Sequence, residues 1–228
     1  MDKEALEIIL SIEENKDFLE SVEDGIFDHE QLTRFVELTT DKTTKHSLYN
    51  SINANQRKSK RWLIEILSTV FTWHKPYYGI AGSSVLILGG WYGGLASMLK
   101  RKFSVEMVRC IDIDPICKKY GRLIYNGEVY IQFRCLDFID YPIQKKYHDL
   151  IISTSCEHFK REDLIEFINK TPKGISFCLQ SNNYYGIEEH INCSDSLEDF
   201  VKYLPLHSML AVELEFEKYK RFMVIGKK

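Results

Sequence analysis

The run Val85-Leu86-Ile87-Leu88-Gly89-Gly90-Trp91-Tyr92-Gly93-Gly94 decides the reading of this chain. Four consecutive apolar residues suit a strand buried on both faces. Two glycine pairs then break the run, and Leu95 to Lys102 resumes at helical spacing. Glycine at such a turn lets the backbone bend sharply and lets a ligand approach it, while the helix that follows presents unpaired N–H groups. Strand, glycine turn and helix in that order make a candidate nucleotide site. Taken alone, the turn is equally compatible with a structural role.

The alternation continues downstream. Met107 to Ile111 reads as a second strand ending on Asp112, and Pro115 suits the first turn of a helix running to about Leu123. Val129 to Cys135 is a third strand, ending near Asp137, and Asp149 to Ser153 a fourth. Leu164 to Asn169 is helical, Pro172-Lys173-Gly174 is a turn, and Ile175 to Leu179 is a fifth strand. From Met209 to Tyr219 the apolar Leu210, Val212, Leu214 and Phe216 alternate with Glu213, Glu215 and Glu217, the mark of a half-exposed strand. Phe222 to Ile225 follows too closely for a helical crossover, so these last two strands should form an antiparallel hairpin. The expected fold is α/β, with a mostly parallel seven-stranded sheet closed by that hairpin.

Upstream, residues 1 to about 55 read as a helical, acidic extension. Leu6, Ile9, Leu10 and Ile12 recur at helical spacing, as do Leu32, Phe35, Val36 and Leu38. The acidic residues between them suit a solvated face. Thr39 to Asn55 is polar and reads as a loop or a loose helix. Ser59 is a candidate N-cap for a helix whose apolar stripe is Trp62, Leu63, Ile66, Leu67, Val70 and Phe71, stopping before Pro76. Arg57-Lys58-Ser59-Lys60-Arg61 then reads as an exposed helix start, or as a contact for an anionic substrate. Two units follow: a helical extension over 1–58 and a nucleotide-binding domain over 59–228.

Composition narrows the function classes. The 228 residues carry a net charge of −3, which gives no whole-chain reason to expect nucleic-acid or membrane binding, although a local basic patch leaves nucleic acid open. No apolar run reaches the roughly 18 residues of a membrane span, and Met1-Asp2-Lys3-Glu4 is unlike a secretory signal. The six cysteines form no C-x-x-C pair, which suits reduced thiols in the cytoplasm. His158 with His190 and Cys193 shows no metal-ligand spacing, so no metal is expected.

Three loops carry the chemistry. After the glycine turn comes Asp112, roughly 20 residues on, where an acidic side chain can accept both ribose hydroxyls. Asp137, in Cys135-Leu136-Asp137-Phe138, can take an adenine amino hydrogen. Each has a plainer reading: Asp112 or Asp114 as a helix cap, Asp137 as a turn residue. Their order at the ends of adjacent strands favours a cofactor site.

Over residues 60 to 228 this pattern resembles the class I S-adenosylmethionine-dependent methyltransferases. The matching positions are Gly89 and Gly93, Asp112, Asp137, Asp149 to His158, Pro172-Lys173-Gly174 and Phe222 to Gly226. The resemblance implies a Rossmann-like sheet with S-adenosylmethionine as cofactor. Gly89, Gly90, Trp91, Tyr92 and Gly93 would wrap its methionine part. Asp112 with Ile113 would meet the ribose, Asp137 with Phe138 the adenine, and Ser155 would complete the wall. Two positions depart from the family. Ile87 stands where an acidic residue is usual, and Trp91 where a glycine is usual. Thr154 to His158, beside Gln180 to Tyr184, is also similar to virus-encoded methyltransferase-like proteins.

In that family the end of strand four faces the methyl group. Glu157 and His158 there are a candidate acid/base pair, or else the start of a helix with His158 packed beneath it. Cys156 reads as packing before nucleophile. Asn182, Asn183, Tyr184 and Tyr185 can bind an acceptor or close a loop. The Asn/Asp-Pro-Pro-aromatic run of adenine amino methyltransferases and the Pro-Cys of cytosine C5 enzymes are both missing. The reading is methyl transfer to an unidentified acceptor, a small molecule favoured. Aminopropyl transfer from the same cofactor, or a non-catalytic subunit of this fold, are the alternatives. The N-terminal helices would cover the pocket or mediate homo-oligomer formation.

Overall fold

The computed structural model describes residues 16–39, 45–74 and 82–228, without the side chains of 72–74 and of 208–209. The stripe at 6–12 and the segment 77–79 lie outside the described residues. Four helices come first: α1 (Lys16–Glu23), α2 (His29–Leu38), α3 (Lys45–Ser51) and α4 (Ala54–His74). Then β1 (Ser84–Leu88), α5 (Gly94–Phe103), β2 (Met107–Asp112), α6 (Pro115–Ile124) and β3 (Ile131–Cys135) alternate. They are followed by β4 (Leu150–Ser153), α7 (Arg161–Lys170), β5 (Ser176–Asn182), α8 (Leu197–Tyr203), β6 (His207–Glu215) and β7 (Lys220–Lys227).

The seven strands lie in the order β3-β2-β1-β4-β5-β7-β6. β1 to β5 are parallel, and β7 runs antiparallel between β5 and β6. The chain winds outward from β1 to β3, then restarts on the other side at β4. The order therefore reverses between β1 and β4, the point at which open α/β sheets bind ligands beyond the carboxyl ends of their strands. Register sets those ends level: Leu88 lies opposite both Ile111 and Ser153, and Asp112 opposite Cys135.

Side chains alternate between two cores, as a period of two requires. Val85, Ile87, Cys110, Ile152, Cys178, Met223 and Ile225 face one core. Leu86, Leu88, Ile111, Ile151, Phe177, Leu179, Phe222 and Val224 face the other. α4, α5 and α6 cover the first face, while α7 and α8 cover the second. Each fully buried Leu, Ile or Phe contributes about 1.5–3 kcal/mol, so β1, β2, β4, β5 and β7 are held from both sides, whereas β3 buries Ile131 and Phe133 on the first face alone.

The N-terminal helices belong to the first core. Phe18, Ile26, Phe27, Leu32 and Phe35 are buried in the same cluster as Val85 and Ile87. α2 opens on a capping box between Asp28 and Gln31, and Arg101 of α5 donates to Gln31 Oε1 at 3.0 Å. Tyr125 Oη donates to the Ile26 carbonyl at 2.9 Å.

Several sequence expectations are corrected. Ser59 does not cap α4. The helix starts at Ala54, where Asn53 Oδ1 accepts the Gln56 N–H at 2.9 Å, and it runs unbroken through 58 and 59. The basic run is not an exposed start, since Arg57, Ser59 and Lys60 are all buried. The acidic face is not wholly solvated either. Asp17, Glu20 and Asp24 surround the Arg57 guanidinium, with Asp24 Oδ2 3.2 Å from Nε. Of the two readings of the polar stretch, loop or loose helix, part takes the second as the helix α3. β5 extends through Asn182, three residues past Leu179, because β7 pairs with it that far. β3 and β4 are joined by two 3₁₀ turns, Phe138–Asp140 and Lys145–Tyr147. α8, capped by Ser196, carries no strong periodic signal and escaped the sequence reading. Among the described residues no helix is long and apolar enough to cross a membrane.

Candidate active site

A cleft of about 890 Å³ opens at the carboxyl ends of β1 to β5. That volume lies within the ~300–1,000 Å³ of ligand pockets. Its floor is the turn after β1. Gly89, Trp91 and Gly93 all have positive φ, at 64°, 47° and 91°. Two of the glycines answer to close approach: a Cβ on Gly90 would meet Cys110 Cβ at 2.6 Å, and one on Gly93 the Phe133 ring at 2.6 Å. Gly93 offers no side chain to cap α5, so the first amides of that helix are left for water or a ligand.

Trp91 is the costly residue here, because a bulky side chain seldom adopts the left-handed region. Two bonds hold it. Its amide donates to Asp112 Oδ2 at 3.0 Å, and its indole Nε1 donates to Ser47 Oγ of α3 at 3.3 Å. Tyr92 Oη reaches the same hydroxyl at 2.9 Å. The indole packs along the N-terminal helices and stands in the wall of the cleft. Ile87, at the family's acidic position, is buried and offers no polar atom.

Asp112 accepts a second amide, that of Asp114, at 3.1 Å. Burial pushes its carboxyl pKa up, and the amides of Asp114 and Trp91 work against that rise. Capping of α6 falls to Asp114, whose Oδ1 accepts the Ile116 N–H at 2.8 Å. Ile113 projects at the rim, 71% exposed. Asp137 is exposed and caps a 3₁₀ turn through Ile139 N–H at 3.2 Å. Phe138 is buried against Phe159, ring centroids 4.5 Å apart.

At the opposite end the polar atoms come from side chains. Glu157 is 2% exposed. Its Oε1 accepts Asn182 Nδ2 at 2.6 Å and an Arg221 guanidinium nitrogen at 3.2 Å. Arg221, also buried, donates to the Thr154 carbonyl at 2.8 Å and to Ser59 Oγ at 3.1 Å. Ser59 Oγ in turn donates to Gln180 Oε1 at 2.8 Å. Lys60 is buried beside this network, reaching Gln56 Oε1 at 3.1 Å and the Ser51 carbonyl at 3.3 Å. Desolvation, and then the charges of Arg221 and Arg57, bring its pKa down to about 7.

His158 and His190 stand edge to face, ring centroids 4.7 Å apart. Burial lowers the His158 pKa; Glu157 opposes the shift and His190 adds to it. Cys156 is wholly buried, and burial pushes its thiol pKa up, which removes the thiolate a nucleophile needs. All six cysteines are unpaired.

The structure thus brings Gly89, Gly90, Trp91, Tyr92, Asp112, Ile113, Asp137, Phe138, Ser155, Glu157, His158, Asn182 and Tyr184 to one cleft. Gly93, Asn183 and Tyr185 are not among its lining residues. Gly93 sits behind the turn, against Phe133. Asn183 Oδ1 accepts the Lys220 amide at 2.7 Å and so pins β7. Tyr185, 59% exposed, donates to the Asp195 carboxylate in a neighbouring depression. Sequence reasoning offered Lys60 only as part of a basic run, and missed Arg221 and Tyr219 as lining residues, together with Asn50 to Asn53, Asn55 and Gln56. No local motif marks them, because they converge only through the pairing of β5 with β7 and the course of α4.

No protein-family model matches the chain, and no curated protein matches it in sequence. Solved structures do. The geranyl diphosphate C-methyltransferase of Streptomyces coelicolor A3(2), in complex with Mg2+, geranyl-S-thiolodiphosphate and S-adenosyl-L-homocysteine, superposes with a TM-score of 0.58 at 13% identity, over 76% of this chain and 78% of that one. The N-methyltransferase NodS of Bradyrhizobium japonicum WM9 gives 0.60 at 14%, over 78% and 98%. A chain of the Haloferax volcanii complex between the Trm112 methyltransferase activator and a candidate methyltransferase gives 0.63 at 14%, over 85% and 96%. The fold is that of the class I S-adenosylmethionine-dependent methyltransferases, its sheet mostly parallel and closed by an antiparallel C-terminal hairpin.

Proposed function

We propose that this protein is a cytoplasmic S-adenosylmethionine-dependent methyltransferase acting on a small polar molecule. One observation carries the reading: the turn Gly89–Gly94, braced by Asp112, stands at the point where the strand order of this fold reverses. The residues fit the cofactor. Glycine at 90 keeps the backbone low against Cys110, the capless start of α5 opens onto the cleft, and the cleft volume is adequate with Trp91 in its wall. Gly89 to Tyr92 would hold the methionine part, with Gly93 supporting the turn from behind, Asp112 and Ile113 the ribose, and Asp137 and Phe138 the adenine, with Ser155 beside Gly89.

When bound, the cofactor supplies a methyl group already activated by a sulfonium, so alignment of the acceptor does most of the work. Tyr184 and Asn182 would line the acceptor's side. Asn183 and Tyr185 would act at a distance, by fixing the loop that carries Tyr184. Glu157 and His158 would take up a proton if the acceptor must lose one. The N-terminal helices are read as the cover of the pocket, because their apolar face already packs on this sheet. Unpaired thiols are consistent with the cytoplasm.

Calorimetry on the purified chain tests the proposal. S-adenosylhomocysteine should bind one to one, and Asp112→Ala should weaken it by about tenfold or more, the loss of a hydrogen-bonded pair of hydroxyls. No detectable binding sinks the proposal. Unchanged affinity in the variant removes Asp112 from the ribose.

A further inference from the structure

We propose that Glu157, His158 and His190 form a binding site for one divalent first-row transition-metal ion at the acceptor end of the cleft. This departs from the sequence expectation of no metal, because the third ligand lies more than thirty residues from the first two and only the fold brings it in. One ligand atom from each residue lies within 4.8 Å of the others. Donors around a tetrahedral ion with bonds of about 2.1 Å stand about 3.4 Å apart. The cluster must therefore close by an ångström or so, and His158 is the exposed member of the three.

Three further observations point to a ligand. Glu157 is almost fully buried, and only Oε1 is engaged, by Asn182 and Arg221. Oε2 has no hydrogen-bond partner among the described residues. A buried, unsatisfied carboxylate oxygen is costly, and a cation satisfies it. Next, one imidazole already spends a nitrogen on the backbone. His190 Nδ1 donates to the Tyr184 carbonyl at 2.6 Å. The remaining nitrogen of that ring is left to ligate, the arrangement that orients metal-binding histidines. Finally, the loop bearing His190 is fastened to the Glu157 segment. Asn192 N–H donates to the Glu157 carbonyl at 2.9 Å, and Arg161 Nε holds Asn192 Oδ1 at 3.0 Å.

Two imidazoles and one carboxylate suit Zn2+, Co2+, Fe2+ or Mn2+ better than Ca2+ or Mg2+, which prefer oxygen. Three protein ligands leave positions for water or for an oxygen of the substrate. The ion's role rests on the methyl-transfer reading: it would hold a hydroxyl or carboxylate oxygen of the acceptor. Glu157 and His158 then hold the ion in place of exchanging protons.

The test uses untagged full chain, stripped with a chelator and titrated separately with Zn2+, Co2+, Mn2+, Mg2+ and Ca2+ by calorimetry. S-adenosylhomocysteine affinity is measured on the same preparation. One equivalent of Zn2+ or Co2+ should bind, with Mg2+ and Ca2+ at least about tenfold weaker. His190→Ala and His158→Ala should each lower the Zn2+ affinity by about tenfold or more, while S-adenosylhomocysteine binding is kept. Glu157→Gln should do the same if it folds; the two histidine variants decide the matter if it does not. Absence of Zn2+ binding in the wild type, unchanged affinity in both histidine variants, or equal affinity for Mg2+ overturns the proposal. Loss of S-adenosylhomocysteine binding with Zn2+ binding intact counts against the methyltransferase reading alone.

Discussion

The two ends of the cleft are built on different principles. At the glycine end, backbone amides of the turn and of the segment after β2 are held by Asp112, which braces the turn from the end of the neighbouring strand. At the other end, Ser59, Glu157, Gln180, Asn182 and Arg221 meet from α4, the β4 end, β5 and β7, with Lys60 buried beside them. The first is a local motif that one stretch of chain can encode. The second is a buried charged network that exists only once the sheet has closed.

That contrast yields graded expectations. The largest effect should follow from removing one member of the network. Arg221→Leu leaves Glu157 buried without its cation, and urea unfolding should show a loss of about 3–5 kcal/mol. Adding Glu157→Leu should recover most of it; a loss below about 1 kcal/mol in the single variant would mean the network does not act as a unit.

At the glycine end the matching change is steric. Gly90→Ala puts a methyl 2.6 Å from Cys110 Cβ and 3.0 Å from its Cα, so β2 and the turn must part. A destabilisation of about 1–3 kcal/mol is expected, with S-adenosylhomocysteine binding reduced more than stability alone explains. An unchanged midpoint would show that the turn is looser than the network.

The smallest effect is a slope. Lys60 has a folded pKa of about 7, against about 10.4 for the unfolded chain. Between those values the unfolded state holds a proton that the folded state lacks, so stability contributed at this position rises with pH, by up to about 1.4 kcal/mol per unit. The wild-type stability minus that of Lys60→Met should therefore climb from pH 7 to 10. A flat difference would place the ammonium in solvent.

The same contrast explains what the sequence revealed. Strand positions were legible because Val85 to Leu88 and its counterparts are apolar on both faces. The hairpin was legible because Lys220-Arg221 leaves no room for a crossover. Asp112 was legible from its distance to the turn. Ser59 misled because serine favours helix starts, whereas here its hydroxyl joins Gln180 and Arg221 across more than a hundred residues. Arg57 and Lys60 misled because a run of basic residues normally lies in water. Their burial depends on α1 and β7, which no window around position 60 contains. His190 was noticed but left without a partner, since its proximity to His158 depends on the Asn192 bond.

α4 joins these stories in a single rod. Its start sets Arg57 among Asp17 and Glu20 of α1 and Asp24 just beyond it, and the next residues set Ser59 in the buried network and Lys60 in the wall of the cleft. Its later turns lie on the sheet through Leu63, Ile64 and Leu67. The extension and the nucleotide fold are consequently not interchangeable modules. A graft or truncation that kept the sheet and discarded α1 would strand a guanidinium in the interior and shift the wall of the pocket with it. The front of this chain and its sheet thus fold as one interior, and a change at Arg57 is felt on both sides of α4.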